Sequence, residues 1–166
     1  MKETPAAVSI LLATGPHGPE LLLIHRAERE NDPWSGHMAL PGGRREAGDQ
    51  DLLETAIRET FEETGVRLRR EGLVGTLEDL RPRHRSIPKV LVRPFVFRLN
   101  SRPRTRPSDE VAACWWVSLG RLKRSSCRIH VPERKLAVDA YLIGPHIVWG
   151  ITQRILSALF LKTELA

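Results

Sequence analysis

The sequence is poor in cysteine and in aromatic residues. Its 166 residues include two cysteines, Cys114 and Cys127, with one tyrosine and four phenylalanines. Because these cysteines show no metal-ligand spacing, they predict neither a disulfide framework nor a cysteine metal site, and a reducing cytoplasm is the expected compartment. The shortage of aromatic residues argues against an extended stacking surface for RNA.

Long hydrophobic runs, internal repeats and low-complexity linkers are also missing. The apolar run within residues 1–14 is too short for a signal peptide or a membrane span, and no other run reaches membrane length. We therefore expect no membrane association. With 41% hydrophobic and 28% charged residues, the composition is that of an ordinary globular protein. The length suits one domain, which we expect to span residues 1–166.

The charge of the chain is strongly positive. The formal net charge is +6, with 26 lysines and arginines against 20 acidic residues. A basic protein suits an anionic partner, such as a phosphorylated metabolite or a nucleic acid. Arginine content also follows genome composition, so the charge alone does not choose between these partners.

Within residues 41–66, a Gly-Gly turn precedes a predicted helix that is dense in carboxylates. At about 100° per residue, one arc of this helix is expected to pack into the core: Leu53, Ala56, Ile57, Thr60, Phe61 and Thr64. Glu59, Glu62 and Glu63 lie on its flank, where side chains three and four positions apart are neighbours. Three such charges repel one another unless a hard divalent cation binds them. The alternative is a solvated acidic face.

This stretch resembles the signature sequence of the Nudix hydrolases. The resemblance is carried by a glycine pair and by six identities at fixed spacing: Gly42-Gly43, then Arg58, Glu59, Glu62, Glu63, Gly65 and Val66. It implies an α/β/α sandwich around a mixed central sheet. It also implies a hydrolase that cleaves a diphosphate linkage with Mg²⁺ or Mn²⁺ as cofactor. The expected partner is a small-molecule diphosphate.

The resemblance also implies roles for individual residues. Glu59, Glu62 and Glu63 are the expected metal ligands, and the carbonyl of Gly43 is expected to join them. These three carboxylates and Arg58 form the expected catalytic group, in which Arg58 orients a glutamate rather than contacting substrate. One of the three, or a carboxylate elsewhere, must deprotonate the attacking water, and the resemblance does not say which.

The spacer between the glycine and the arginine departs from the usual pattern. The usual spacing places a glutamate eight residues before the arginine, and here that position holds Gln50. Counted from Gly43, the corresponding residue is Asp49, so the spacer is one residue longer. Asp49 is therefore expected to stand in as the partner of Arg58. The other interpretation, which is not exclusive, is that Asp49 caps the helix.

The longer spacer resembles the coenzyme A diphosphatase branch of the family. Residues 148–152 also resemble the C-terminal stretch of that branch. Three positions depart from the branch pattern, namely Ala27, Asp32 and Leu40. The substrate therefore stays open between coenzyme A, ADP-ribose, nucleotide sugars and nucleoside di- or triphosphates.

Four arginines are the expected substrate-binding residues. Arg26 lies in the segment that resembles the coenzyme A branch, and Arg81, Arg83 and Arg85 lie in a basic loop. The fork of an arginine side chain suits phosphate. The alternative for the loop is a solubilising surface or a subunit contact. Glu110 is a candidate for a further metal-binding or base carboxylate, by similarity to some family members.

Two other functions remain open at this stage. One is an RNA hydrolase that removes 5′-terminal phosphates, although nucleic acid is not the expected partner. The other is a Nudix-fold binding or regulatory protein without catalysis, which commonly loses signature carboxylates that this chain retains. A homodimer is also left open.

Periodicity predicts the remaining elements. Strands are expected at residues 6–13, 21–25, 73–80, 90–99 and within 109–119, with a further strand around 128–131 followed by a loop. A helical turn is expected at residues 118–124, and a second helix at about 147–161.

Overall fold

The computed structural model describes residues 2–83, 89–131 and 134–163. The elements in these ranges are β1 (Thr4–Gly15), β2 (Gly18–Arg26), β3 (Met38–Ala39), β4 (Gly42–Arg44), α1 (Leu52–Thr64), β5 (Leu73–Thr76), β6 (Val90–Leu99), β7 (Val111–Ser118), β8 (Lys123–Val131), β9 (Arg134–Ile143), β10 (His146–Trp149) and α2 (Gly150–Thr163). Short 3₁₀ turns lie at Arg70–Gly72 and Leu119–Arg121. No helix within the described ranges is long and apolar enough to cross a membrane.

The central sheet is mixed and is organised around β1. This strand pairs in parallel with β6 along residues 4–13. On its other side it pairs antiparallel with β2 through residues 12–15 and with β4 through residues 6–8. β2 also pairs with β3 and β7, and β5 pairs with β6. Gly42 and Gly43, predicted as a turn, form the start of strand β4 and are held directly on the first half of β1; we keep the name Gly42-Gly43 turn for this pair.

The two helices lie on opposite faces of this sheet. Ala7 and Leu11 of β1 belong to the same hydrophobic cluster as Ala56 of α1. Ala6 and Ile10 point to the other face, where they share a cluster with α2 residues such as Leu156. This division follows the two-residue period of a strand. The expected α/β/α sandwich with a mixed central sheet is confirmed.

A three-stranded antiparallel sheet in the order β10-β9-β8 follows the central sheet in the chain. The strand expected around residues 128–131 is longer, Lys123–Val131, and the loop expected after it contains β9. The second helix begins at Gly150 rather than at residue 147, because His146–Trp149 pair with β9. The strand expected at 73–80 ends at Thr76 and continues as an isolated bridge between Leu80 and Val92.

The buried face of α1 differs from the expected one. Phe61 is 40% exposed, and the guanidinium of Arg67 lies 4.2 Å from the centre of its ring. The residues that are buried are Thr55, Ala56, Thr60, Glu63 and Thr64. Small side chains let the helix approach β1 closely, and the larger phenylalanine is left at the edge. One carboxylate of the predicted acidic flank therefore lies in the interior.

Candidate active site

The N-terminus of α1 is capped by Asp51, not by Asp49. The Asp51 carboxylate accepts a hydrogen bond from the backbone N–H of Glu54 at 2.8 Å. Arg70 donates to both oxygens of Asp51 at 3.0 to 3.1 Å. The interpretation of Asp49 as the helix cap is therefore wrong. Its carboxylate is directed toward a different partner.

That partner is Arg58. Its Nε and Nη2 donate to Oδ1 and Oδ2 of Asp49 at 2.8 and 2.9 Å. Asp49 also accepts from the Thr55 hydroxyl at 2.8 Å and from the backbone N–H of Glu46 at 2.9 Å. The Arg58 guanidinium is the main reason that the pKa of Asp49 is held well below its usual range. The longer spacer thus places the Asp49 carboxylate where it binds the Arg58 guanidinium.

The remaining nitrogen of this guanidinium faces the carboxylates of α1. Nη1 of Arg58 lies 3.0 Å from Oε1 of Glu59 and 3.2 Å from Oε2 of Glu62. A pair of hydrogen bonds to Asp49 leaves little rotational freedom to a planar group. Arg58 is therefore a rigid support that holds two glutamates side by side.

The third glutamate, Glu63, is buried at the centre of the site. Glu63 is 3% exposed, and its Oε2 accepts a long hydrogen bond of 3.4 Å from the N–H of Gly42. Burial, followed by the nearby charge of Glu59, raises the pKa of Glu63 to about 8. Burial also raises the pKa of Glu59. A positive charge among these groups would reverse both effects.

The Gly42-Gly43 turn closes the other side of the carboxylate group. A Cβ atom on Gly43 would lie 2.5 Å from Cδ and Oε1 of Glu59. The main chain of Gly43 is therefore so close to the end of the Glu59 side chain that a Cβ at this position would displace the Glu59 carboxylate.

The oxygen donors around Glu63 are of the type that a hard divalent cation binds. Among the described residues, no three acidic, histidine or cysteine side chains are already grouped closely enough to hold a metal. In chemical type the donors do fit, because such cations prefer carboxylate and carbonyl oxygens. The buried carboxyl group of Glu63, beside the charge of Glu59, fits such a cation in charge. Glu59, Glu62, Glu63 and the carbonyl of Gly43 are thus suited to this role.

A distant segment forms the opposite wall. The N–H groups of Arg106 and Ser108 donate to the carbonyls of Thr64 and Glu63 at 2.7 and 3.1 Å, beyond the left-handed cap at Gly65. This attachment brings Glu110 toward α1, where its charge helps to raise the pKa of both Glu59 and Glu63. An open cleft results, lined by Arg29, Glu62, Glu63, Ser108, Asp109 and Glu110.

Arg29, Ser108 and Asp109 were not expected in the site. Nη1 of Arg29 lies 3.5 Å from Oε1 of Glu110. These residues belong to loops that the sheet brings together from distant parts of the sequence. The nearest sequence signal for Arg29 is its place in a polar loop shortly before the Gly-Gly turn.

Arg26 lies on the same side of the molecule as Glu63. Its positive charge acts to lower the pKa of Glu63, against the larger effect of burial. Nη2 of Arg26 pairs with Oδ2 of Asp32 at 2.9 Å, and its buried Nε has no hydrogen-bond partner among the described residues. Asp32, which departs from the coenzyme A branch pattern, thus orients this arginine.

The other expected substrate-binding arginines lie elsewhere. Arg81 pairs with Glu3, and its carbonyl accepts a hydrogen bond of 2.6 Å from Arg154 of α2. Arg83 is exposed, and its charge adds to burial in lowering the pKa of Arg154. Both are therefore associated with α2, on the opposite face of the sheet from α1. Arg85 lies outside the described residues.

Residues 3–138 match the NUDIX domain family. The mouse (Mus musculus) protein named mitochondrial coenzyme A diphosphatase NUDT8 is 31% identical over 161 residues, covering 92% of this chain and 75% of that protein. An uncharacterized protein of Schizosaccharomyces pombe is 40% identical over 118 residues, which cover 68% of this chain but only 36% of the yeast protein.

Solved structures share the fold. A MutT/nudix family protein from Enterococcus faecalis superposes with a TM-score of 0.73 at 19% identity, covering 99% of this chain and 63% of that one. At this level of identity the likeness concerns the fold alone.

Proposed function

The chain belongs to the Nudix hydrolase family, and from this premise we propose that it is a divalent-metal-dependent hydrolase of a nucleoside diphosphate derivative. The bond cleaved is the diphosphate linkage, and coenzyme A is the first candidate substrate. One observation carries the proposal: Glu63 is a buried carboxylate, beside Glu59 and the main chain of the Gly42-Gly43 turn. Such an arrangement costs stability unless a cation occupies it.

Two observations favour coenzyme A over the other diphosphates. The similar mouse protein is named a coenzyme A diphosphatase. The long spacer that resembles this branch places Asp49 on Arg58 through two hydrogen bonds. The departure from the branch pattern at Asp32 leaves Arg26 in an ion pair beside the carboxylate site.

Different residues have different roles in the proposed reaction. Glu59, Glu62, Glu63 and the Gly43 carbonyl would hold the cation, which when bound supplies charge neutralisation and lowers the pKa of water. Arg58 keeps Glu59 and Glu62 in place. Glu110 stands on the opposite wall and, as a carboxylate outside α1, is the candidate to accept the proton of the attacking water.

The phosphates of the substrate need cationic partners near this group. Arg29 lines the cleft, and Arg26 lies beside Glu63. We assign these two arginines to the diphosphate, because a guanidinium forms paired hydrogen bonds with phosphate oxygens. Arg81 and Arg83 face α2 and are not part of this assignment, while the role of Arg85 stays a prediction.

We propose that residues 1–166 form one domain, since both hydrophobic clusters share the central sheet. The cytoplasmic location stays a prediction, and the similar mouse protein is named as mitochondrial. Dimerisation also stays a prediction.

The test is a hydrolysis panel with coenzyme A, ADP-ribose, nucleotide sugars, nucleoside triphosphates and 5′-triphosphate RNA, each with Mg²⁺, Mn²⁺ or chelator. The expected result is metal-dependent release of a nucleotide product from coenzyme A, well above the other compounds. Glu62→Gln is expected to keep the fold and to lose activity by a factor of at least roughly 100. Preferential cleavage of another compound would replace coenzyme A. Absence of cleavage of every compound, with metal bound, would favour a binding protein instead.

A further inference from the structure

Two buried hydroxyl groups connect the two halves of the candidate metal site. Ser9 of β1 and Thr60 of α1 are both fully buried. The Ser9 hydroxyl lies 3.2 Å from the carbonyl of Ala56, and the Thr60 hydroxyl lies 2.8 Å from the Ser9 oxygen. A carbonyl only accepts, so Ser9 donates to Ala56 and Thr60 donates to Ser9. The serine oxygen thus contacts two successive turns of the helix.

The main chain of Ser9 holds the other half of the site. Its N–H donates to the carbonyl of Pro41 at 2.8 Å. The two preceding pairs of the strand register join Val8 to Gly42 and Ala7 to Gly43. One residue therefore contacts the turn through its backbone and the helix through its side chain.

The Gly42-Gly43 turn and α1 lie so close together that a small change in their spacing affects the candidate metal site. The main chain of Gly43 lies so close to the Glu59 carboxylate that a Cβ on Gly43 would displace that carboxylate. Glu59 precedes Thr60 directly, and Glu63 follows Thr60 by one turn of the helix. A small slide or rotation of α1 on β1 would move both carboxylates relative to the turn.

Apolar packing alone does not prevent such a movement. The face of α1 that meets β1 consists mainly of small side chains, including Ala56 and Thr64. Hydrophobic contact is non-directional, whereas hydrogen bonds depend on distance and angle. The hydroxyl pair supplies a directional contact at the middle of this interface.

We propose that Ser9 and Thr60 are positioning residues that set the spacing between the Gly42-Gly43 turn and the α1 carboxylates, and hence the affinity for the cation. This inference rests on the proposed metal-dependent function. Ser9 and Thr60 contact neither substrate nor metal in this account. They act through Glu59, Glu63 and Gly43.

The test compares Mn²⁺ binding by wild type, Thr60→Val and Thr60→Ser, measured by calorimetry on the full chain without substrate. Valine keeps the shape of threonine without the donor, and serine keeps the donor. Thr60→Val is expected to weaken Mn²⁺ binding about 10-fold, the scale seen when a group that orients metal ligands is removed. Thr60→Ser is expected to restore binding. Ser9→Ala is the second variant. If Thr60→Val does not fold, the Mn²⁺ affinity of Ser9→Ala decides the test.

Ser157→Ala is the matched control. Its hydroxyl lies 3.0 Å from that of Tyr141, in a pair that joins α2 to β9 away from α1. This change is expected to lower the melting temperature without altering Mn²⁺ affinity. Two results would overturn this inference and leave the proposed function standing. One is wild-type Mn²⁺ affinity in both Thr60→Val and Ser9→Ala, and the other is an equal loss of affinity in Ser157→Ala. No Mn²⁺ binding by wild type would overturn the proposed function and the inference with it.

Discussion

Asp49 and Arg58 are joined by two parallel hydrogen bonds, from Nε to Oδ1 at 2.8 Å and from Nη2 to Oδ2 at 2.9 Å. The side chain of Asp49 is buried, and that of Arg58 is 20% exposed. The same guanidinium also reaches Glu59 and Glu62. The Asp49–Arg58 pair therefore links the spacer that follows Gly43 to the carboxylates of Glu59 and Glu62.

The first prediction concerns the energy of this pair. Asp49→Asn removes the charge and one acceptor, so we expect a loss of about 1.5–3 kcal/mol in the free energy of unfolding, the scale of hydrogen bonds to charged groups. Asp79→Asn is the control, since Asp79 forms the same two-bond pair with Arg93 in a more exposed setting. There we expect about 0–1 kcal/mol. Urea unfolding measures both, and equal losses would contradict a special role for Asp49.

The second prediction concerns pH. Since the Asp49–Arg58 pair lowers the pKa of Asp49 in the folded state, the contribution of this carboxylate to stability is complete above its unfolded pKa of about 3.9. The contribution is lost as the pH falls below that value toward the lower folded pKa. The stability gap between wild type and Asp49→Asn should thus be constant between pH 5 and pH 7. It should shrink in urea unfolding at pH 3, whereas a gap that is unchanged there would argue against the lowered pKa.

The third prediction uses three glycines with different surroundings. A Cβ on Gly42 would overlap the backbone carbonyl of Ala7, so Gly42→Ala should destabilise the fold. A Cβ on Gly43 would meet the end of the Glu59 side chain, which can move, so Gly43→Ala should keep the fold and weaken Mn²⁺ binding. Gly48→Ala meets nothing within 4 Å and is the neutral control. Melting temperature and Mn²⁺ titration separate the three, and normal Mn²⁺ affinity in Gly43→Ala would argue against its place in the site.

The fourth prediction concerns the substrate. Arg29→Gln should raise KM about 10- to 100-fold with a smaller change in kcat, because one charged hydrogen bond to phosphate is worth about 1.5–3 kcal/mol. Arg81→Gln should leave KM unchanged, since Arg81 pairs with Glu3 and contacts Arg154. Steady-state kinetics on the best substrate of the panel measures both. The reverse pattern would restore the basic loop as the phosphate site.

The carboxylate helix and the two central strands were predictable because their patterns are local. Periodicity identified α1 and the strands β1 and β2. The depth of each glutamate was not predictable in this way. A helical wheel places Glu59 and Glu63 on a flank and does not show that tertiary packing around α1 buries Glu63.

Long-range partners were the least predictable part. Asp49 and Asp51 are equally good helix caps by residue type, and the cap proved to be Asp51, with Arg70 as its partner from 19 residues away. Arg29 and Asp109 meet in the cleft because the sheet joins two loops. The hairpin of β8 and β9 was largely missed because its outward residues are charged and its inward pattern is weak.

The most direct test of the metal site is thermal unfolding of wild type and Glu63→Gln with and without Mn²⁺. Without metal, Glu63→Gln should be at least as stable as wild type, because a neutral amide replaces a buried carboxylate. With Mn²⁺ at about 100 times its Kd, wild type should gain about 2.7 kcal/mol, and so should Glu71→Gln, which removes an exposed charge elsewhere. Glu63→Gln should gain little. A gain in Glu63→Gln equal to that of wild type, or no gain in wild type, would contradict the assignment of these carboxylates to a divalent cation.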